Sequence, residues 1–190
     1  MKQILLVSHC FLNTASKCRG YRLDSIRAEE QLRRDLLHRA VDRGIQLLQL
    51  PCPELTLYGL DRWGHTRDQF DNPFFRQHCR EQLNPILLQL QAYSAAEDAE
   101  LLGVLGIDGS PSCGVKYTCT GLWGGDFGGR DVSGVLAQAA TAPGPGVLME
   151  VLAEELAQCG LTLPMDGLYA REPERALALL DLGKEEGEHG

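Results

Sequence analysis

The hydrophobic residues of this chain fall into two patterns that alternate along its length. Short, mainly apolar runs, each typical of a buried strand, occupy residues 3–8, 45–50, 99–108 and 161–165. Between them lie longer stretches in which apolar residues recur every three or four positions, as in amphipathic helices. The pattern therefore predicts strands and helices in regular alternation.

Helix boundaries are marked by local signals. The first long helix opens at an Asp-Ser cap signal and ends at Gly44, and the second contains Pro85, where a break is predicted. The predicted helices cover residues 23–44, 72–94, 144–160 and 172–183. Alternating strands and helices predict an α/β fold, a three-layer Rossmann-like sandwich with a mainly parallel sheet and right-handed crossovers.

We expect one domain over residues 1–183 and a polar, disordered tail over residues 184–190. Two long connections, residues 51–73 and 109–131, show neither the strand-like apolar runs nor the helical spacing of apolar residues. Structureless connections of this length in a compact domain are usually functional. In an open parallel sheet they lie beyond the carboxyl ends of the strands, where such folds bind ligands.

The composition limits the classes of partner that this protein can be expected to bind. The net charge of −8 argues against a nucleic acid polymer and favours a small-molecule substrate. The amino-terminal apolar run is too short to span a membrane and has no signal cleavage site, so we expect a cytoplasmic protein without a membrane partner. Seven cysteines in a reducing compartment are not a disulfide framework, so some should be ligands or catalytic groups. The oligomeric state is left open.

Three cysteines each follow a predicted strand. Cys10, Cys52 and Cys113 come a few residues after the first, second and third apolar runs, so they can converge at one sheet edge. Three thiolates without a matching histidine favour a soft metal centre such as an iron–sulfur cluster. Such a centre would leave one iron open as a Lewis acid. The alternative is that these cysteines are small buried side chains.

Oxygen groups lie close to these cysteines in the sequence. Glu54 follows Cys52, and Asp108, Ser110 and Ser112 surround Cys113. A carboxylate buried beside a cluster can act as acid or base. For Asp108 the alternative is a structural role, in which the carboxylate caps local backbone N–H groups. His9, next to Cys10, is a candidate for orienting the substrate.

Other residues have weaker signals. Cys18 and Cys119 are further candidate thiols, whereas Cys79 and Cys159 fall in predicted helices and are expected to pack. Aromatic residues of the two long connections can stack on a planar heterocycle or cover the loops' own small core. These aromatic candidates are Trp63, His65, Tyr117, Trp123 and Phe127.

The segments SHCFLNTASKCRGY, LPCPE and IDGSPSCG, in this order, resemble the signature segments of the 2-thiouracil desulfurase family. The stretch LTLYGLDRWG after Glu54 differs from the family's usual glycine pair, as in a divergent branch. The resemblance implies a [4Fe–4S] cluster on Cys10, Cys52 and Cys113, with Glu54 and Ser110 as catalytic groups. From their positions next to the cysteines in the sequence, we further predict substrate contacts for His9, Asp108 and Ser112.

The implied reaction is a non-redox desulfuration of a thiolated small molecule such as a thiopyrimidine. The substrate sulfur would bind the open iron, and water activated by Glu54 would attack the carbon while Ser110 helps to move a proton. Two alternatives stay open at this point. One is a non-enzymatic cluster or metal sensor, and the other is a cluster-free enzyme with Cys113 as nucleophile.

Overall fold

The computed structural model describes residues 1–20, 23–122 and 124–182. The strands are β1 (Lys2–Val7), β2 (Gln46–Gln49), β3 (Ala99–Ile107), β4 (Tyr117–Thr120), β5 (Ala140–Pro143) and β6 (Met165–Leu168). The helices are α1 (His9–Leu12), α2 (Leu23–Asp42), α3 (Pro53–Tyr58), α4 (Arg67–Phe70), α5 (Pro73–Ser94), α6 (Val132–Leu136), α7 (Val147–Gln158) and α8 (Pro173–Asp181). A 3-10 turn, Thr14–Ser16, lies between α1 and α2. The predicted tail 184–190 and Trp123 lie outside the described residues.

The main sheet has four parallel strands in the order β2-β1-β3-β6. Helices flank the sheet, with α2 against α8 and α5 against α7 and β3. The predicted mainly parallel Rossmann-like sandwich is therefore confirmed. The chain moves from β1 to β2 on one side and then to β3 on the other, so the sheet has a switch point between β1 and β3. Ligands of such folds bind outside the carboxyl ends of the strands at this position.

The long helices form where the periodicity predicts them. In α2, Leu32, Leu36 and Ala40 are buried, whereas Ile26, six residues before Leu32, is 42% exposed. The apolar face of α7 includes six buried residues and continues the core that begins with the β1 side chains. None of the described helices combines the length and the apolar character needed to cross a membrane.

The break predicted near Pro85 is wrong, because α5 runs through this residue without interruption. A proline inside a helix removes one backbone hydrogen bond, here to the carbonyl of Glu81. Both Pro85 and Glu81 lie on the exposed side of α5, where water can satisfy that carbonyl. Burial of Leu83, Leu87 and Leu90 on the opposite side keeps the helix in place.

The strand predicted at residues 161–165 lies later, at Met165–Leu168. Its pairing with β3 begins at Met165, opposite Val104, because Pro164 has no N–H and contributes only its carbonyl, 2.9 Å from the N of Val104. The apolar run before Pro164 therefore precedes the ladder rather than joining it.

The two long connections are not structureless. The first contains α3 and α4, and the second contains β4, which pairs with β5 in a separate antiparallel sheet. Elements of four to six residues are too short to show periodicity, and the β4–β5 pairing joins residues at least twenty positions apart. Thr66 ties the connections together, because its hydroxyl donates to the carbonyl of Gly121 at 2.8 Å.

The turn that carries Cys113 is bound to the first turn of α7. The backbone N–H of Val147 donates to the carbonyl of Pro111 at 3.0 Å, and those of Leu148 and Met149 donate to the carbonyl of Ser112 at 3.0 and 3.2 Å. The first N–H groups of a helix have no partner within the helix, so the turn satisfies them. This contact orders the turn without using a side chain.

We predict that Gly146→Ala destabilises the protein, because the contact between α7 and the turn leaves no room for a β-carbon. A Cβ at Gly146 would lie 2.5 Å from the carbonyl carbon and 2.6 Å from the carbonyl oxygen of Ser112. Overpacking of this kind costs roughly 1–3 kcal/mol. Urea unfolding measures the change, and Gly64→Ala, with nothing within 4 Å of its Cβ, is the control. Equal stability of the two variants would contradict the close contact.

Candidate functional site

Three cysteines occupy the carboxyl end of three adjacent strands. Cys10 lies in α1 just after β1, Cys52 precedes α3 after β2, and Cys113 lies in the turn after β3. Their charges act on one another, since thiolates at Cys10 and Cys52 both raise the pKa of the Cys113 thiol. The strand order β2-β1-β3 therefore brings the three predicted ligand residues into one electrostatic environment.

Burial controls the protonation of these thiols. It raises the pKa of Cys10 to about 11 and is also the largest influence raising the pKa values of Cys52 and Cys113. The backbone N–H groups of Leu55 and Glu54 act in the opposite direction on Cys52. The apoprotein thiols are consequently protonated at neutral pH, and a bound metal centre would have to displace those protons.

Two further observations concern what the thiols could hold. Across residues 1–20, 23–122 and 124–182, no three His, Cys, Asp or Glu side chains are arranged to hold a single metal ion. A multinuclear cluster distributes its thiolates over different irons and so takes ligands that are further apart.

The hydroxyl of Ser8, at the end of β1, is buried without a hydrogen-bond partner in the described part of the chain. A buried hydroxyl without a partner is costly, so this environment is incomplete without another group.

Glu54 is buried beside the thiols. It lies in the first turn of α3, which begins at Pro53, and only 8% of the residue is exposed. One carboxylate oxygen, Oε1, accepts a short hydrogen bond from the Ser112 hydroxyl, and the other, Oε2, lies 3.2 Å from Nε of Arg62. The arginine side chain is itself only 3% exposed. This ion pair compensates a buried carboxylate that would otherwise be unfavourable.

The two serines of the turn have different environments. The Ser112 hydroxyl contacts Glu54 and lies 3.5 Å from Sγ of Cys113 and 3.4 Å from Oγ of Ser110. The Ser110 hydroxyl oxygen accepts the backbone N–H groups of Cys113 at 3.0 Å and Ser112 at 3.3 Å. Ser112, expected to contact substrate, is thus the direct partner of the carboxylate. Ser110, expected to be catalytic, reaches Glu54 through Ser112.

The carboxylate of Asp108 is occupied by the protein itself. Its Oδ1 accepts the backbone N–H groups of Val115, Lys116 and Tyr117 at 2.9, 3.0 and 3.3 Å. Its Oδ2 lies 2.6 Å from Nη2 of Arg175, and the Asp108 side chain is fully buried. These contacts match the structural role that the sequence left open for this residue, and its role in substrate binding stays a prediction.

The remaining cysteines and His9 are distributed around this centre. His9 is half-buried at the start of α1, and its carbonyl accepts from Nε2 of Gln49 at 2.9 Å; a role in substrate orientation stays a prediction. Cys79 is fully buried in α5, as expected for packing, and Cys159 caps the end of α7. The Cys18 thiol lies 3.5 Å from the carbonyl of Arg62, and Cys119 lies in β4.

The long connections enclose a cavity of about 260 Å³ lined in part by Trp63, His65 and Phe127. The His65 ring packs against Tyr58 and Phe70, with ring centroids 4.7 and 4.8 Å apart. Burial lowers the pKa of His65, although the charge of Glu54 opposes this. Glu54 is not among the residues that line this cavity, and Tyr117 instead packs on Tyr169 and the Arg175 guanidinium.

Two cations of the site could not be found from sequence. These are Arg62, in the first long connection, and Lys17, before α2. Arg62 bridges three segments, because its guanidinium also donates to the carbonyls of Ser16 at 2.8 Å and Gly59 at 2.9 Å. Lys17 is the strongest nearby charge acting on Cys10. Neither residue has a local sequence signal, since each acts on a group from another segment.

Comparison with known proteins decides the family. The family model described as "Putative 2-thiouracil desulfurase" matches residues 1–127, about two thirds of the chain. The chain belongs to this family. The match includes all three cysteines at the strand ends, together with Glu54 and the serine-containing turn.

A protein of Methanocaldococcus jannaschii, the uncharacterised protein MJ0003, is similar to this chain. The two are 33% identical over 114 residues, which make up 60% of this chain and 69% of that protein. No solved structure matches the chain. The family relationship thus extends to archaea.

We predict that Asp108→Ala destabilises the protein by about 3 kcal/mol, because it leaves a partly buried Arg175 and three backbone N–H groups without their acceptor. Asp98→Ala is the matched control, since Asp98 forms an exposed ion pair with Lys2 in which both side chains are at least 70% exposed. Such pairs contribute at most about 1 kcal/mol. Chemical denaturation of both variants measures the difference, and a small effect at Asp108 would refute its structural role.

Proposed function

We propose that this protein is an enzyme that removes sulfur from a thiolated small molecule such as 2-thiouracil. A thiocarbonyl group and water would give a carbonyl group and hydrogen sulfide, with no net transfer of electrons. The observation that carries the proposal is the grouping of three thiols, two of them buried, with the Glu54–Ser112 pair at one sheet edge. Membership of the 2-thiouracil desulfurase family supports the same reaction.

The donor set suits a [4Fe–4S] cluster held by Cys10, Cys52 and Cys113. Three thiols without a nitrogen ligand are typical of iron–sulfur sites, and the Ser8 hydroxyl offers a buried donor for a sulfur atom. When bound, the cluster would supply one iron without a protein ligand as a Lewis acid for the substrate sulfur. Reduced thiols fit the cytoplasmic location expected from the sequence.

Glu54 is the proposed general base. Its carboxylate is held on both sides, by Arg62 at one oxygen and by Ser112 at the other. These two contacts fix the position of the carboxylate that is proposed to take a proton from water, and its burial excludes competing solvent. The cavity lined in part by Trp63, His65 and Phe127 lies between the two long connections that also carry Glu54 and the serines, and it is large enough for a planar ring.

The two serines form the proposed path for the proton. The Ser112 hydroxyl donates to Glu54 and lies 3.4 Å from the Ser110 hydroxyl. A proton taken by the carboxylate can therefore pass to Ser110 through Ser112. The protein groups thus bind, orient and move protons, and Ser110 contributes through Ser112 rather than alone.

The cluster-free alternative has less support. Cys113 is only 4% exposed, and burial raises the pKa of its thiol. A reactive cysteine needs a stabilised thiolate and access to substrate, and Cys113 has neither. The Glu54–Ser112 pair also favours catalysis over a purely sensory role, because a sensor needs no buried base.

We expect that Cys10→Ser, Cys52→Ser and Cys113→Ser each lose the cluster, because each removes one of three thiolate ligands. The measurement is iron and acid-labile sulfide content with visible absorption, on anaerobically reconstituted protein. Cys159→Ser, at the end of α7, is the control and should keep its iron. Full cluster content in any of the three variants would show that the ligand assignment is wrong.

We expect that Glu54→Gln lowers kcat for 2-thiouracil by roughly 10²–10⁴-fold with the cluster retained, because it removes the proposed base. Ser112→Ala should cost more than Ser110→Ala, since only Ser112 touches the carboxylate. Steady-state sulfide release measures all three variants, and iron content confirms loading. A larger loss in Ser110→Ala than in Ser112→Ala would reverse the proposed order of the two serines.

A further inference from the structure

The guanidinium group of Arg62 lies almost entirely inside the protein, and the side chain is only 3% exposed. Its Nε lies 3.2 Å from Oε2 of Glu54, Nη1 donates to the carbonyl of Gly59 at 2.9 Å, and Nη2 donates to that of Ser16 at 2.8 Å. A guanidinium is planar and presents its N–H donors in fixed directions. Because each of its three nitrogens has an acceptor, the group is held in one orientation.

The three acceptors of Arg62 belong to two segments that build the site. Glu54 lies in the first turn of α3, and Gly59 is the residue at which that helix ends. Ser16 is buried at the end of the 3-10 turn after α1, the helix that carries Cys10. Arg62 thus joins both ends of α3 to the segment after α1.

The contact between Arg62 and Glu54 involves only one carboxylate oxygen. An arginine frequently binds a carboxylate through two parallel N–H groups, one to each oxygen. Here both terminal nitrogens of Arg62 donate to backbone carbonyls, and Nε contacts Oε2 of Glu54. The other oxygen, Oε1, accepts from the Ser112 hydroxyl. The carboxylate therefore cannot rotate without losing one of these two partners.

The two partners of Glu54 differ in what they can do with a proton. A guanidinium donates hydrogen bonds but has no site that accepts a proton, so the partner of Oε2 cannot relay one. A hydroxyl donates and accepts at the same time. Ser112 can therefore exchange one proton with Oε1 and one with the Ser110 hydroxyl, 3.4 Å away, and end the transfer with its own proton restored.

We propose that Arg62 is a positioning residue, which holds Oε2 of Glu54 and thereby directs proton transfer to Oε1 and the Ser112 hydroxyl. The inference rests on the proposed desulfuration, in which Glu54 takes a proton from water. A positive charge alone would not have this effect, because a lysine ammonium lacks the planar set of donors that bridges the carboxylate and two carbonyls. Arg62 itself neither accepts nor gives up the transferred proton.

The first test measures sulfide release from 2-thiouracil by anaerobically reconstituted Arg62→Lys. We expect kcat to fall about 10²-fold, as a displacement of a reacting group by about 1 Å can cause, with KM and iron content unchanged. Arg43→Lys is the matched control and should keep full activity. Arg43 also joins a carbonyl, that of Leu180, to a carboxylate, that of Asp181, but it lies near the amino end of β2. An unchanged kcat in Arg62→Lys would overturn the proposal.

A double variant separates positioning from a general structural role. If Arg62 acts through Glu54, adding Arg62→Lys to Glu54→Gln should lower kcat by no more than about twofold, because the group that Arg62 positions is already lost. A residue that only stabilises the fold would lower kcat by the same factor in both backgrounds. That additive result would refute the positioning role.

A third test uses urea unfolding of the apoprotein and needs neither cluster nor substrate. Arg62→Gln should lower the urea midpoint, because it leaves the buried Glu54 carboxylate without its cation. Adding Glu54→Gln should raise the midpoint again, or restore folding if Arg62→Gln alone does not fold. The same addition to Arg43→Gln should bring no such recovery.

The urea test keeps the two proposals distinguishable. If the protein proves inactive with thiolated substrates, the proposed function fails, while the recovery in the double variant still shows whether Arg62 holds Glu54. A double variant no more stable than Arg62→Gln would overturn the inference about Arg62, whatever the activity of the enzyme.

Discussion

The hydrogen bonds between the first turn of α7 and the turn after β3 are the contact on which the site depends. Helix N-termini leave N–H groups without partners, and here the carbonyls of Pro111 and Ser112 accept them. The backbone of α7 thereby holds the turn, and the Ser110 hydroxyl adds contacts with the N–H groups of Ser112 and Cys113. The contact with α7 uses none of the turn's side chains, and Gly146 is the residue that allows the approach.

Around this turn the protein balances charges that would otherwise be unfavourable to bury. Three thiols and Glu54 form an electronegative group, and burial keeps the thiols protonated until something replaces their protons. Arg62 compensates the charge of Glu54, and the charge of Lys17 opposes the rise in the pKa of the Cys10 thiol. The Arg62 side chain is almost fully buried, whereas 32% of the Lys17 side chain is exposed.

A second polar network, centred on Asp108 and Arg175, stabilises the segment that follows the turn. Asp108 gathers three backbone N–H groups of the segment after Cys113 and pairs with Arg175 of α8. Arg175 in turn contacts Asp166 of β6 and Glu172. The fourth strand and the last helix thus brace the loop that carries the candidate catalytic serines, which ties the carboxyl-terminal part of the fold to the site.

Local sequence patterns determined the long helices, the main strands and the position of three cysteines and Glu54 just after strand ends. Periodicity and cap signals act within a few residues, so they can be read from the chain alone. Strand order, the β4–β5 sheet, the register of β6 and the continuity of α5 through Pro85 were decided only in the tertiary structure. The same holds for the contact of Glu54 with Ser112 rather than Ser110, and for Arg62 and Lys17. Each of these depends on groups from distant segments meeting in a closely packed interior, which no local pattern records.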